Sequence, residues 1–509
     1  MAESYLDILA GIIRNNWDQP ALTDFYLTED GTAPDASRGN HYTYGEMYME
    51  IVRVAKLLII LGLQKGDHIA ICGANSAHWV IAYLAVARMQ GVSVTVMHSL
   101  MPDQIANLVD FSDAKALFVD DELWMEISKQ PLPQLKSVIA LGDWNCLMGR
   151  LTGTIEEPAD NRIVAFPQSH ADDLSMICFT SGTTERPKGV MLSSGCLSNN
   201  VSNGMDAYPI DANPDFLCVL PMFHMYGLMI EILSQIVRGK HIWIMNNHPN
   251  IANIWRGILC VRPYAMAVIP AIMEALCAKY TIHENSAVKN FCKQIHVGGA
   301  SFSHTLTQEI REHGLPVSIG YGLTETGPLI SDSQSHEYRL LSCGRVVTGM
   351  EVRIASNGEI LAKGKNVMLG YYKDPKATAK KIDADGWLHT GDRGHLDEDG
   401  YLYVEGRLEQ DMIVLPNGEN IRPDNIEALI NALPEVKESI VLARDGKLVG
   451  IVVVSDQFSA ISNQTEIRRN ILRTINPQLP LFSQLYDVEI TDIQLQRTEK
   501  QTLKRYLYK

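Results

Sequence analysis

"HIAICGANSAHWVIAYLAVARMQGVSVTVM", residues 68–97, decides the fold class. It opens on a short β-run, His68–Gly73, continues as a helical pattern from Ser76 to Gln90, and closes on a second β-run, Val92–Met97. The same order recurs. Ala114–Asp120 follows another helical stretch. Ser175–Gly182, Phe216–Pro221, His241–Asn246, Ala265–Pro270, Gln294–Gly299 and Pro316–Gly322 come later. Taken together these runs are nearly continuous in apolar residues, the pattern of parallel strands covered on both faces. Repeated β-then-α order predicts an α/β fold.

The pattern changes after about Leu341. From there to Tyr403 the chain is dense in turns ("SNGE", "GKN", "DADG", "DEDG"), which suits short strands and hairpins. After Gly406 comes a unit of about a hundred residues, large enough for its own domain. It holds a helix near Asp424–Ala432, strands at Lys437–Ala443 and Leu448–Val454, and a helix near Gln464–Thr474. A chain of 509 residues is expected to form two or more domains.

Hydrophobic residues make up 46% and charged residues 20%, a globular composition. The net charge of −15 argues against broad binding to nucleic acid or an anionic membrane. The nine cysteines are scattered and include no Cys-x-x-Cys pair. That argues against a zinc site or a disulfide framework and for buried thiols in a reducing compartment. The first residues read as a surface helix, and the apolar runs fall short of a membrane span. The expected location is cytoplasmic, with at most peripheral membrane contact.

"FTSGTTERPKGV", Phe179–Val190, carries the most chemistry. A β-run ends in a loop rich in Thr, Ser and Gly. Its backbone N–H groups and hydroxyls can turn inward around phosphate oxygens, and Lys188 adds a mobile positive charge. Alone, such a run is more often an ordinary polar loop. It is not the G-x-x-x-x-G-K-[ST] phosphate loop.

The stretch closely resembles the phosphate loop of the adenylate-forming superfamily, [YF]-T-S-G-[ST]-T-G-x-P-K-G. That superfamily includes acyl-CoA synthetases, luciferases and peptide-synthetase adenylation domains. Phe179, Thr180, Ser181, Gly182, Thr183, Thr184, Pro187, Lys188 and Gly189 match, while Glu185 stands where the family has glycine. Further matches follow in the family's order. "LPMFHMYG" (Leu220–Gly227) puts His224 at the entrance of the acyl pocket. "HVGGASFS" (His296–Ser303), with Gly299 and Ala300, resembles the loop bordering adenine and the acyl group. "GYGLTETGP" (Gly320–Pro328) implies that Gly320, Tyr321 and Gly322 lie against adenine. In the same motif Thr324 would contact the α-phosphate and Glu325 would hold Mg²⁺. "GWLHTGDRGHLDEDGYLYVEGR" (Gly386–Arg407) implies that Asp392 accepts the ribose hydroxyls and that Arg407 stands at the domain junction. Asp397 and Asp399 are read instead as turn residues around Gly400. By resemblance, Thr180, Ser181, Gly182 and Thr183 bind nucleotide, and Thr184 and Lys188 act in catalysis.

What the resemblance implies for the fold is a large amino-terminal domain of parallel α/β sheets, residues 1–406, plus a distorted β-barrel-like part. A hinge at 407–411, falling at Glu409 or Gln410, joins it to a small mobile α+β domain at 412–509. For function it implies ATP-dependent activation of a carboxylic acid, by analogy with long-chain ligases a fatty acid. Acyl-AMP would pass to coenzyme A, with Mg²⁺ as the metal. An acyl carrier protein is a variant acceptor, and a homodimer is a possible assembly. The segment Met222–Met229 holds no acid for a substrate ammonium, which disfavours an amino-acid adenylating domain.

The family ends in P-K-T-x-[ST]-G-K-[IVL]-x-R, whose lysine touches the substrate carboxylate and the α-phosphate. A cation between two anions stabilises the transition state in which they meet. Here Thr502 occupies the lysine position, while Thr498, Leu503 and Arg505 match. Three readings stay open. Lys500 reaches the site from a shifted register, although residues two apart in a strand are about 6–7 Å apart. Alternatively, adenylation is slowed while the thioester step persists. The third reading is a binding protein that has lost turnover.

Overall fold

A computed structural model describes residues 4–26, 39–148, 164–180, 187–206, 215–246, 250–299, 304–315, 317–333, 339–407, 413–415, 419–421, 423–455, 464–493, 495 and 508. The chain divides into two compact units at Gly406/Arg407. The larger is everything before that point apart from Ser99–Met101 and Ser181–Pro187.

The stretch that opens the sequence reading forms the centre of the larger unit. His68–Cys72 and Val92–Thr95 are adjacent parallel strands, joined by the helix Ala77–Arg88. Ser76 caps this helix by accepting from the Trp79 amide at 3.1 Å. Every residue from Ala77 to Val86 is buried, as befits a helix apolar all round. Trp79 and Tyr83 stack with their ring planes 7° apart. The helix packs on Tyr44–Ile60, whose Met47, Ile51, Val54 and Leu58 are wholly buried. Thr43 and Glu46 close a capping box at the start of that second helix.

Five parallel strands form the middle of this sheet: Leu174–Thr180, Val92–Thr95, His68–Cys72, Ala116–Val119 and Ser137–Ala140. Antiparallel strands flank them. Cys146–Met148 lies beyond Ser137–Ala140, and Lys188–Ser193 then Gly370–Tyr371 lie beyond Leu174–Thr180. A second sheet runs Ala265–Val268, Gln294–Val297 and Val317–Gly322 in parallel. It then adds Leu329–Asp332 and Arg345–Val346 antiparallel. A third joins Asp215–Cys218, His241–Met245 and Pro20–Phe25 in parallel, with His41–Thr43 antiparallel. The turn-dense stretch forms the four-stranded sheet of Met350–Ile354, Glu359–Gly364, Leu388–Leu396 and Leu402–Arg407.

The fold is therefore mixed α/β, and its sheets are less uniformly parallel than the apolar runs imply. The antiparallel strands Lys188–Ser193 and Leu329–Asp332 follow loops whose glycines and prolines hide them. As read from the sequence, Asp397 serves a turn. It accepts from the Asp399 and Tyr401 amides, and Arg339 pairs with it at 2.7 Å.

The smaller unit packs Pro423–Asn431 and Gln464–Ile475 on a three-stranded sheet. Val436–Arg444 and Lys447–Val454 form a hairpin, and Asp487–Thr491 lies parallel to the second strand. Ile430, Val441, Val452, Ile471 and Ile475 form its core. Ile471→Ala would remove a fully buried side chain and cost about 2–5 kcal/mol. Hydrogen exchange checks this: amides of Val436–Val454 should exchange faster, while those of His68–Val119 stay unchanged. Equal protection in both proteins would show that Ile471 does not hold this core.

Candidate active site

The Ser/Thr/Gly loop springs from the carboxyl end of a parallel strand. Thr180, the last residue of Leu174–Thr180, pairs with Lys188, the first residue of the antiparallel strand that follows. Carboxyl ends of parallel strands are where α/β sheets bind ligands. Thr180 and Lys188 are thus opposite each other at the mouth of the connection. Ser181, Gly182, Thr183, Thr184 and Glu185 lie outside the described residues, as do Ala300, Lys500 and Thr502.

Lys188 is half-buried, with Nζ 4.9 Å from the centre of the Tyr371 ring. A cation over an aromatic face is attracted by the ring's quadrupole. The Tyr371 phenol donates to Glu325 Oε1 at 2.7 Å. Burial first, and the Glu325 carboxylate second, push the phenol's pKa up, so it stays a donor. Tyr371 was not singled out from the sequence. It lies in "GYYKDP", where nothing local separates a packed tyrosine from a site tyrosine.

Glu325 sits in the short 3₁₀ turn Thr324–Thr326. Thr326 locks this turn: its hydroxyl accepts from the Leu323 amide at 3.1 Å and donates to the Pro328 carbonyl at 2.7 Å. Asn200 holds it from the other side, donating to Thr326 O and accepting from Leu329 N. Thr324 and Glu325 are left partly accessible.

Just before the turn, Tyr321 donates to Asp392 Oδ2 at 2.7 Å. Asp392 is 5% exposed, so its carboxylate is held largely away from water. The structure gives Gly320 and Gly322 a packing reason for being glycine. A Cβ at Gly320 would meet the His296 ring at 2.6 Å, and one at Gly322 would overlap Pro328 O. Gly299 has a left-handed φ of 83°. Arg407 ends the strand Leu402–Arg407.

His224 lies on the loop after Asp215–Cys218. It is accessible to solvent yet set in a recess, where desolvation by the surrounding protein lowers its pKa. Two buried polar residues fix this loop. Asn75 donates to Leu220 O at 2.8 Å and accepts from Met222 N at 2.9 Å. Glu231 accepts from the Leu220 amide at 2.8 Å and the Val219 amide at 3.3 Å. Glu231 lies in a wide π-helical turn, Gly227–Leu233, that the sequence does not announce. Tyr226 on the same segment donates to His296 Nδ1 at 2.8 Å, and His296 Nε2 meets Asp332 Oδ1 at 2.7 Å. A carboxylate only accepts, so His296 Nε2–H is the donor to Asp332.

The described residues thus bring Thr180, Lys188, Tyr371 and Glu325 together where the strand Leu174–Thr180 ends, at that edge of the eight-stranded sheet formed by strand ends. The chain from Tyr321 to Glu325 connects that edge to Asp392. Residues 13–372 match the AMP-binding enzyme family, and 410–508 match the AMP-binding enzyme C-terminal domain. The chain belongs to this family, within the adenylate-forming superfamily, and is an AMP-forming acid–CoA ligase of the acyl-CoA synthetase-like kind. ATP, CoA and a small-molecule acid are the substrates of that class. It is 28% identical over 487 residues to 4-coumarate–CoA ligase 3 of Arabidopsis thaliana, covering 89% of this chain and 83% of that protein. It is 29% identical to the putative acyl-CoA synthetase YngI of Bacillus subtilis, covering 81% and 82%. Among solved structures, a double mutant of Bacillus subtilis o-succinylbenzoate CoA synthetase aligns with TM-score 0.79 at 23% identity. The alignment covers 100% of this chain and 98% of that one, and shows the same fold. No helix among the described residues is long and apolar enough to cross a membrane.

Burial pushes the Glu231 carboxyl from its ordinary 4.5 up to about 8, against the backbone and thiol hydrogen bonds that pull it down. Folded protein then keeps a proton that the unfolded chain releases. The stability this group contributes is complete below pH 4.5 and is lost as pH rises towards 8, at up to about 1.4 kcal/mol per pH unit. A thermal-unfolding series over that range should show a shallower decline for Glu231→Gln than for the wild type. Parallel curves would mean that Glu231 is ionised in the fold.

Proposed function

We propose that the acid is a fatty acid and that the residues described above divide the chemistry as follows. Lys188 and Thr180–Thr184 bind the phosphates of ATP, and Tyr321 and Asp392 hold adenosine through ring and ribose. Thr324 meets the α-phosphate, and His224 stands at the acyl entrance. The observation that carries this reading is the Lys188–Tyr371–Glu325 arrangement at the carboxyl end of a parallel strand. It sets a cation and a buttressed carboxylate within one cluster.

The carboxylate of the acid attacks the α-phosphate and pyrophosphate leaves, so that AMP becomes the leaving group of the next step. The CoA thiol then attacks the acyl carbon. A Mg²⁺ ion fits Glu325, because a hard cation takes carboxylate oxygen and the Tyr371 phenol orients that carboxylate. When bound, it would offset phosphate charge. Residues 1–406 form the nucleotide-binding domain, and 412–509 turn about a hinge at 407–411 between the two half-reactions. The protein works in the cytoplasm, where its nine free cysteines stay reduced. An acyl carrier protein as acceptor, and a homodimer, belong to the same proposal.

The fatty-acid reading rests on the likeness of Pro416–Glu427 to long-chain ligases alone. A second reading, a phenylpropenoic acid, is favoured by relatives named 4-coumarate–CoA ligases. Pyrophosphate release and thioester formation, measured over a panel of fatty acids and 4-coumarate, separate the two. Fatty acids should give the higher kcat/KM, and turnover of 4-coumarate alone would overturn the first reading.

If Lys500 serves as the adenylation lysine, Lys500→Ala should slow pyrophosphate release about 100-fold. Thioester formation from preformed acyl-AMP should be left intact. Thr502→Lys should raise pyrophosphate release. Unchanged release in Lys500→Ala would remove Lys500 from the site.

A further inference from the structure

A second cluster of donor groups lies away from the residues assigned to the reaction. It is built from the turn after helix Pro270–Tyr280 and from the end of helix His304–Glu312. His283, Glu284 and His313 each present one ligand atom, all within 4.8 Å of one another. His283 Nε2 lies 3.9 Å from Glu284 Oε1 and 3.4 Å from Glu309 Oε1. The two histidine rings meet edge to face with centroids 5.0 Å apart.

The backbone beneath these groups is fixed by other bonds. Glu284 N donates to Thr281 O at 2.8 Å, and Asn285 N donates to Ile282 O at 3.2 Å. The Asn285 side chain caps the next helix by accepting from Val288 N. Across the gap, His313 N donates to Glu309 O at 3.1 Å, so the last helical turn is intact. Residues four apart then project side by side.

Two features favour a bound ion over chance proximity. First, 3.4 and 3.9 Å are too long for good N–H···O hydrogen bonds, which run about 2.7–3.2 Å. Donors about 2.0–2.2 Å from a tetrahedral ion stand about 3.4 Å apart, so three ligand atoms within 4.8 Å of one another need only small side-chain adjustments to close on one. Second, no hydrogen bond among the described residues holds the His283 ring: Nδ1 is buried without a partner, and Nε2, the nitrogen that faces the carboxylates, has only those two long contacts. The His283 side chain is only 6% exposed, whereas Glu284 and Glu309 are about half-exposed at the rim. The imidazole therefore forms the floor of a small polar recess and is not oriented by hydrogen bonds of its own.

We propose that His283, His313 and Glu284 bind a divalent d-block cation of the Zn²⁺ class, with Glu309 beside His283 at the rim. Two imidazoles select such an ion over Mg²⁺ or Ca²⁺, which prefer all-oxygen sites. Two carboxylates offset its charge. The ion ties the turn at residues 281–285 to the helix that precedes the Tyr321 strand. Cysteine spacing says nothing of this site, since no thiol takes part. The proposal is independent of the identity of the acid.

The test uses the full chain, stripped with a chelator and titrated with Zn²⁺ by calorimetry in the presence of excess Mg²⁺. The wild type should take up one equivalent at micromolar or tighter affinity, and its unfolding temperature should rise on loading. His313 and Glu284 are exposed, so His313→Ala and Glu284→Ala can be made without disturbing the core. Each should weaken uptake at least tenfold and remove the thermal shift. Failure of the wild type to bind overturns the proposal. So does equal binding by wild type and His313→Ala, which would place the ion on cysteines or other histidines.

Discussion

The 2.7 Å hydrogen bond from Tyr321 to Asp392 ties together two sheets that follow one another in the chain, at residues 71 apart in sequence. Tyr321 belongs to the strand Val317–Gly322 of the five-stranded sheet, and Asp392 to Leu388–Leu396 of the four-stranded one. The bond fixes where the first strand ends. The next four residues run directly into the turn that carries Thr324 and Glu325. Glu325 is tied in its turn to Tyr371, and Tyr371 lies under Lys188. A short sequence of phenol–carboxylate contacts thus holds three sheets' contributions in one register. Each phenol donates and each carboxylate accepts, which orients the carboxylate and leaves it charged. The lysine keeps its own charge for an anionic ligand.

Polar side chains buried in the larger unit serve as scaffolding of the same kind. Asn75 and Glu231 bond backbone groups of the irregular segment Val219–Met222, and Asn200 bonds the 3₁₀ turn at Thr326 and the strand start at Leu329. Irregular backbone cannot satisfy its own N–H and C=O groups, and leaving one buried and unpaired costs about 1–3 kcal/mol. A polar side chain from a neighbouring segment meets that need and at the same time fixes the loop's shape. Glu231 does this from inside a π-helical turn, where the widened backbone aims its carboxyl at Val219 and Leu220. The residues that look most out of place in an apolar core therefore hold the loop that presents His224.

The parallel strands were legible because burial on both faces writes an apolar run into the sequence. The same logic fails at Lys188–Ser193 and Leu329–Asp332. Each is an antiparallel strand entered from a functional loop, and its first residue is polar or follows a proline. The motif residues Lys188, Glu325, Tyr321 and Asp392 were legible as types at a spacing. Their partnerships were not, since Tyr371 is 46 residues from Glu325 and Asp392 is 71 residues from Tyr321. Gly320 and Gly322 show a different limit. The motif presents them as residues that let a ligand approach, while the structure shows His296 and Pro328 already filling the space a Cβ would need. Tertiary packing alone requires glycine at both positions.

An acidic chain that handles a polyanion faces an electrostatic problem that net charge exaggerates. At physiological salt the Debye length is about 8 Å, so most of the −15 is screened from any one cleft. What matters is the local sign, and near the loop the protein spends its acids carefully. The Glu325 and Asp392 carboxylates are each covered by a phenol on one oxygen, which orients them. Lys188, by contrast, is held over a ring face, a contact that keeps the ammonium in place without neutralising it. An anion can therefore be favoured at one strand end of a protein whose surface as a whole repels it.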